Sequence, residues 1–503
     1  MRSFTALDVI VLIAYLAGTT ALGIFLGRHQ KDAKDYFVAG HRIPWWAVLF
    51  SVVATETSAL TIISIPSVAY LGNLGYLQIV AGYIIGRIVI AFTLLPRYYN
   101  GNLVTAYALL ERRFGVATRR VASVIFMFTR AFADSVRVFA TAIPIALILG
   151  PVIPAEYLKP AAILTLGVLT LIYTYHGGVR AVVWTDVVQT GIYLLGGITA
   201  VVIIGHHVPG GWPAIFHTGA AAGKFSAIDL SFNLSNPYTL WAGVIGGAFL
   251  SMASHGADQV IVQRLLAASS LKDAQRAIIG SGFVVFAQFA LFLTIGVGAW
   301  VYFGAKPFDP TDAMFPTFII TAMPAGLVGL LIAAILAATM SAHSGAINSL
   351  AAATVHDIYL PLTGNDPDSP RTLRVAKLAS LAWGVFLLVA ALLYPEQKTP
   401  VVIVALAIAS STYGALLGSF GLGLFWHRAG QRAAIAGMIV GIIVMSIVVF
   451  ANQFAEIWPA VKPLGNIAWP WYVLIGTAVT FITGMITSFL PGETHSKASF
   501  PNE

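Results

Sequence analysis

The chain has 503 residues, of which 58% are hydrophobic and only 10% charged, where a soluble protein carries roughly 25% charged residues. With a mean hydropathy of +0.85 it is expected to be an all-α polytopic membrane protein, since apolar runs near or above about 20 residues recur along it, each long enough to cross a bilayer. The net charge of +8 is no sign of nucleic-acid binding, the absence of cysteine excludes disulfides and thiolate metal sites, and no ten-residue strand alternation marks an outer-membrane barrel.

In chain order the sequence predicts about thirteen spans, near residues 7–27, 44–71, 75–98, 119–150, 159–177, 181–205, 237–260, 278–303, 317–360, 374–394, 400–426, 432–453 and 469–490. The first is too long for the core of a cleavable signal. The fourth and ninth exceed one straight crossing, so each is expected to tilt, bend or run past the bilayer. Basic residues gather on one side: Arg28 to Arg42 after the first span, Arg97 to Arg120 after the third, then Arg180, then Arg264 to Arg276, then Arg371 to Lys377, then Arg428 and Arg432. The opposite side receives scattered residues such as Lys159, Lys224 and Lys306. This bias predicts an outside N-terminus and a cytoplasmic C-terminus. The largest external segment, 206–236, is expected to act as a cap, and the tail 491–503 to be disordered.

Ionisable residues inside spans are costly and are functional candidates. They are Glu56, Arg87, Arg130, Asp134, Arg137, Asp186, His255, Asp258 and His343. Within the second span, ATETS sets Thr55, Glu56, Thr57 and Ser58 side by side. Four polar residues in a row cannot face one helical partner, so the helix is expected to break there and to expose backbone carbonyls. Such carbonyls are tolerable at that depth only where protein or water covers them, and they suit a hard cation. An intact helix bonded to its neighbours is the alternative. The seventh span repeats the pattern in GGAFLSMASHGADQ, with Ser251, Ser254, His255 and Gly256. Two interrupted spans five apart predict an inverted repeat, residues 44–205 and 237–426, with a midplane site between its halves.

In the ninth span Thr339, Ser341, Ser344, Gly345, Asn348 and Ser349 recur at helical spacing. Close packing through small residues explains them, and ion binding can coexist with it. Arg130, Asp134 and Arg137 share one face of the fourth span. One acid between two bases leaves surplus positive charge, which either contacts an anion or finds another partner. Glu56 is a candidate partner for Arg87. His255 and His343 are read as packing residues ahead of proton carriers.

DYFVAGHRIPWW, ATETSALT, LLPRYY, ERRFG, WTDVVQ, GADQVIVQRLLA and SGAINSLAAATVHDIY together resemble the sodium:solute symporter family over roughly residues 6–490. The resemblance implies a leucine-transporter-type fold with two inverted five-helix units, and a sodium ion as the coupling ligand. By position, the sodium would be held by the carbonyls of Ala54, Thr57 and Ala338 and the hydroxyl of Ser341. Relatives carry a second hydroxyl where this chain has Ala342, so one side-chain oxygen is absent. Some relatives hold a second sodium; Asp186 and Ser344 match those positions, while Gly345 falls where another hydroxyl would sit.

Positions that line a hexose site in relatives are here Thr61, Val80, Ser251, Ser254, His255, Val285 and Leu406. Several are apolar and would leave sugar hydroxyls unpaired, at about 1–3 kcal/mol each. SIPSVAYLGNLGYLQ is more similar to the branch carrying monocarboxylates, iodide and anionic vitamins. The expected solute is therefore a small organic anion, with Ser58, Thr61, Ser251, Ser254, His255 and Arg137 as its contacts. A neutral solute and proton coupling are the rivals. No zinc motif marks a membrane enzyme, and a channel would not need two broken helices.

Overall fold

The computed structural model describes residues 5–26, 33–57, 59–100, 103–149, 154–309, 311–394 and 401–491. Helices account for every crossing, as they must where no water can satisfy backbone groups. The isolated bridge between Ile43 and Ala268 is the one extended pairing among the described residues. The tail, beyond residue 491, lies outside the described residues.

The first crossing is α1 (Ala6–Leu26). The second is a broken pair, α2 (Trp45–Glu56) and α3 (Ala59–Leu71), bent by 60°. Next comes α4 (Leu77–Phe92). α5 (Val116–Leu149) has 34 residues, about 51 Å at 1.5 Å per residue, so it runs past a hydrocarbon core of about 30 Å. The predicted fifth and sixth spans are the two helical segments of α6 (Ala155–His207), separated by a kink at Gly178, where φ is 55°. Glycine takes that conformation without steric cost.

The seventh crossing starts with a π-helical turn, Ala242–Gly246, and continues as α7 (Gly247–Gly256). It breaks at Ala257 and Asp258, then resumes as α8 (Gln259–Leu266). α9 (Leu271–Tyr302) is the eighth. The ninth is α10 (Leu327–Ala352), extended by a π-helical turn to Tyr359. It is shorter than the 317–360 expected, because Met314–Ala322 is a separate helix. Pro324 lacks a backbone donor and Gly326 has a φ of 86°, so no helix continues through them. The last crossings are α11 (Pro370–Leu392), α12 (Val401–Phe425), α13 (Gln431–Val449) and α14 (Trp471–Thr487).

The interior is centred on α10, in which every residue from Leu331 to Ala352 is buried. It packs against α2, α5 and α6. A second close contact joins α4 to the seventh crossing. Gly82 and Gly86 face Gly243 and Gly247, four residues apart on each side. A Cβ on Gly82 would strike the Gly243 carbonyl, one on Gly86 the Ala248 carbonyl, and one on Gly243 would lie 2.6 Å from the carbonyl carbon of Gln78. Small residues let two helix backbones touch in this way, which fixes the third and seventh spans as one unit.

Candidate ion and solute site

α2 stops at Glu56, and Thr57 is extended, with φ −85° and ψ 91°. A helix that ends leaves its last carbonyls without intrahelical partners. The break therefore presents oxygen at the negative end of the helix dipole. Thr57 is fully buried, and its hydroxyl is committed to Gln288, whose Nε2 donates to Thr57 Oγ1 at 2.8 Å. Ala54, Ala338 and Ser341 are buried as well. Ser58 lies outside the described residues.

Asp186 stands beside this break on α6. It accepts hydrogen bonds from Ser51 Oγ at 2.5 Å and from Ser341 Oγ. One carboxylate thus ties α2 to α10. Arg264 Nη2 lies 3.4 Å from the same carboxylate, and Arg264 Nε donates to Ser51 Oγ at 3.0 Å. Ser344 does not join Asp186 through its proton; its hydroxyl donates to the Ser341 carbonyl at 2.9 Å. Sequence reasoning placed Arg264 among the cytoplasmic basic residues. The structure buries it, because the break at Asp258 turns α8 inward and covers that helix from Gln259 to Leu266.

Glu56 and Arg87 do pair. Arg87 is fully buried, bridges to Glu56 Oε2, and donates to Ser281 Oγ at 2.8 Å. This joins the second, third and eighth spans. His255 Nε2 lies 3.6 Å from the same Glu56 oxygen, and His255 Nδ1 meets Ser254 Oγ at 2.8 Å. His343, by contrast, has no hydrogen-bond partner for either ring nitrogen among the described residues and joins none of these groups.

A cavity of about 360 Å³ opens next to both breaks. Glu56, Thr61, Ser251, Ser254, His255 and Arg137 all line it, so every expected solute contact within the described residues reaches one space. Val80 and Val285 are buried away from it, and the side chain of Leu406 lies outside the described residues. Aromatic rings, which sequence reasoning missed, form one wall. Tyr76 stacks on Phe289 at 5.4 Å and 14°, with Tyr238 at 5.8 Å and Trp469 at 6.3 Å. Tyr238 follows the external segment expected to act as a cap. That segment is strapped down by Leu74 N to the Ser226 carbonyl (3.1 Å), Asp229 N to Gln78 Oε1 (3.0 Å) and Ala468 N to the Leu234 carbonyl (2.8 Å).

The surplus positive charge expected on the fourth span is balanced by a residue from the seventh. Arg130 pairs with Asp134 at 2.5 Å and with Asp258 at 3.4 Å. Arg137 lies 3.4 Å from Asp134, and Tyr413 donates to Asp258 at 2.6 Å. Two acids thus accompany two bases. Of the two arginines, Arg137 is the more open, with 24% of its side chain exposed against 7% for Arg130. On the far side, Asp357 gathers Arg119 (2.7 Å), Thr105 (2.5 Å) and Ser123 (2.9 Å). Tyr98 and Tyr107 donate to the Gly256 and Ala257 carbonyls at 2.5 and 3.1 Å, which satisfies backbone freed by the second break.

Two helix breaks around one buried cavity, with oxygen donors on one side and paired ions on the other, match the architecture that the sequence resembles. A model of the sodium:solute symporter family matches residues 36–441. The chain belongs to that family. A sodium/sialic acid symporter of Aliivibrio fischeri is 32% identical over 97% of this chain and 94% of its own length. The rabbit (Oryctolagus cuniculus) sodium-dependent multivitamin transporter is 29% identical over 88% of this chain and 70% of its own. A solved structure described as the substrate-bound outward-open state of a Na+-coupled sialic acid symporter with a novel Na+ site superposes with a TM-score of 0.85 at 30% identity, covering 98% of this chain and 100% of that one. A nucleobase-cation-symport-1 transporter in a closed conformation shares the fold, with a TM-score of 0.55 at 11% identity. The symporter is a multi-pass membrane protein of the leucine-transporter type that couples solute movement to sodium. It is a transporter, not an enzyme.

Proposed function

We propose that the symporter imports a small organic anion, and that the cavity beside the two breaks is its solute site. The observation that carries this reading is Arg137, a partly exposed guanidinium that is more open than the other charged side chains lining the cavity, Glu56, Arg130 and Asp258. Glu56 also faces the cavity, but Arg87 behind it and His255 beside it hold its charge. Relatives named for sialic acid, iodide and monocarboxylates support an anionic solute. A cavity of about 360 Å³ suits a compact solute with an apolar part against Tyr76 and Phe289.

In this reading one sodium binds the carbonyls of Ala54, Thr57 and Ala338 and the hydroxyl of Ser341, tying α2 to α10. The bound ion favours the outward-open state and shapes the solute site. The glycine seam and the Glu56–Arg87–Ser281 bridge hold spans from both repeats in one bundle that moves as a body, and the two bundles rock against each other. The protein then sits in a plasma membrane with its N-terminus outside and its C-terminus cytoplasmic. A neutral solute is the second reading, favoured by the even pairing of Arg130 and Arg137 with Asp134 and Asp258. Sodium-driven uptake into proteoliposomes, competed by a panel of carboxylates and sugars, separates them. Arg137→Ala should abolish competition by carboxylates; competition by sugars alone would reject the anion. Uptake that ignores sodium at fixed pH and follows a pH gradient would reject sodium in favour of protons.

A further inference from the structure

Asp186 is a fully buried carboxylate next to the proposed ion site, and a charge at that depth needs a cation. A mobile ion is one way to supply it, because Ser51 and Ser341 both reach the carboxylate with their hydroxyls. The chain supplies its own instead. Arg264 spreads its guanidinium over Asp186, Ser51 and the Val260 carbonyl, with Nη1 to Val260 at 3.0 Å.

What admits the guanidinium is Gly345. A Cβ at that position would lie 2.6 Å from Arg264 Nη2 and 3.0 Å from Nη1, closer than side chains pack. The space one turn below Ser341 is therefore filled by arginine, not left for a side-chain oxygen. Any other residue at 345 would push the guanidinium off the carboxylate. The same geometry orients the sodium ligand. Ser341 spends its proton on Asp186, so its lone pairs stay available to a cation at the break.

We propose that the Arg264 guanidinium stands in place of a second coupling cation, so that Asp186 is neutralised within the chain and the symporter binds a single sodium. Arg264 is a positioning residue in this scheme: it touches neither sodium nor solute, and it sets the ion count through Asp186. The inference rests on the sodium site proposed above.

Equilibrium binding of radioactive sodium to the purified full chain in nanodiscs, without solute, tests it. The wild type should saturate at one sodium per chain. Arg264→Gln should saturate at two, because Asp186 is then an unpaired carboxylate ringed by hydroxyls. Adding Asp186→Asn to Arg264→Gln should restore one. A wild type that binds two, or a monodisperse Arg264→Gln that still binds one, overturns the proposal. If Arg264→Gln does not fold, the wild-type count decides alone. A wild type that binds none refutes the sodium site itself, which is a different failure.

Discussion

Ser341→Ala isolates the proposed ion contact. The hydroxyl it removes is the single side-chain oxygen in the proposed sodium shell, the position beside it being Ala342. An interaction between a neutral polar group and a charge is worth about 1.5–3 kcal/mol. At about 1.4 kcal/mol per decade, the half-saturating sodium concentration should rise by about 10- to 140-fold. Stability should fall as well: Asp186 loses one donor but keeps Ser51 and Arg264, so the loss is that of one hydrogen bond to a charged group, about 1.5–3 kcal/mol. Ser344→Ala is the control: its hydroxyl donates to a carbonyl of its own helix, and the sodium dependence should be nearly unaltered. Ala342→Ser is the converse, adding an oxygen beside Ser341, and should lower the half-saturating concentration. Uptake as a function of sodium in proteoliposomes reads all three, with thermal unfolding alongside. A half-saturating concentration for Ser341→Ala within about twofold of the wild type would refute the placement of the ion at this break.

Arg87→Met should cost about 3–5 kcal/mol, since it strands the Glu56 carboxylate, and Glu56→Gln together with Arg87→Met should recover most of that. Equal losses of unfolding temperature in the single and double variants would show that Glu56 does not depend on Arg87. Gly82→Ala puts a methyl against the Gly243 carbonyl and should destabilise by about 1–3 kcal/mol through overpacking; an unaltered unfolding temperature would show that the two helices do not depend on close backbone contact there. A potential of ~100 mV contributes about 2.3 kcal/mol per net charge moved, so a neutral solute with one sodium should accumulate roughly fiftyfold more when that potential is imposed. For a monoanion with one sodium, valinomycin-imposed voltage should leave accumulation unchanged.

The two breaks were legible because a helix in hydrocarbon cannot hide four adjacent polar residues, and because Gly256 and Asp258 sit in an apolar run. Thr61, Ser251, Ser254, His255 and Arg137 could be placed at one site by the resemblance, and they share one cavity. What stayed hidden is pairing across long sequence separations. Arg264 and Asp186 are 78 residues apart, Arg130 and Asp258 128, Thr57 and Gln288 231, and no periodicity reports such partners. Arg264 was misassigned because a base near a span end looks the same in sequence whether it meets headgroups or folds back inward. The glycine seam was overlooked for a related reason: Gly82 and Gly86 read as ordinary membrane glycines until Gly243 and Gly247 are seen opposite. The separate helix Met314–Ala322 was readable, at Pro324, but the continuous apolar character of the run concealed it.

The acids around the cavity and on its inner side follow one pattern. Glu56 has Arg87, Asp134 and Asp258 have Arg130, Asp186 has Arg264, and Asp357 has Arg119. All but Asp134 are paired with an arginine from a different helix, so these bridges also fasten helices to one another. The proposed sodium ligands are of the opposite kind, three carbonyls and a hydroxyl with no formal charge. A carrier built this way is neutral at its ion site when empty, and its fixed charges are cancelled where they stand. The empty carrier can therefore reorient without bringing a bare charge through the field, and the loaded carrier moves only the charge of its cargo. That division suits an anionic solute, because a sodium and a monoanion together leave the loaded site as neutral as the empty one. Accumulation then follows the sodium concentration ratio alone, and the solute's charge becomes readable from the voltage response of transport.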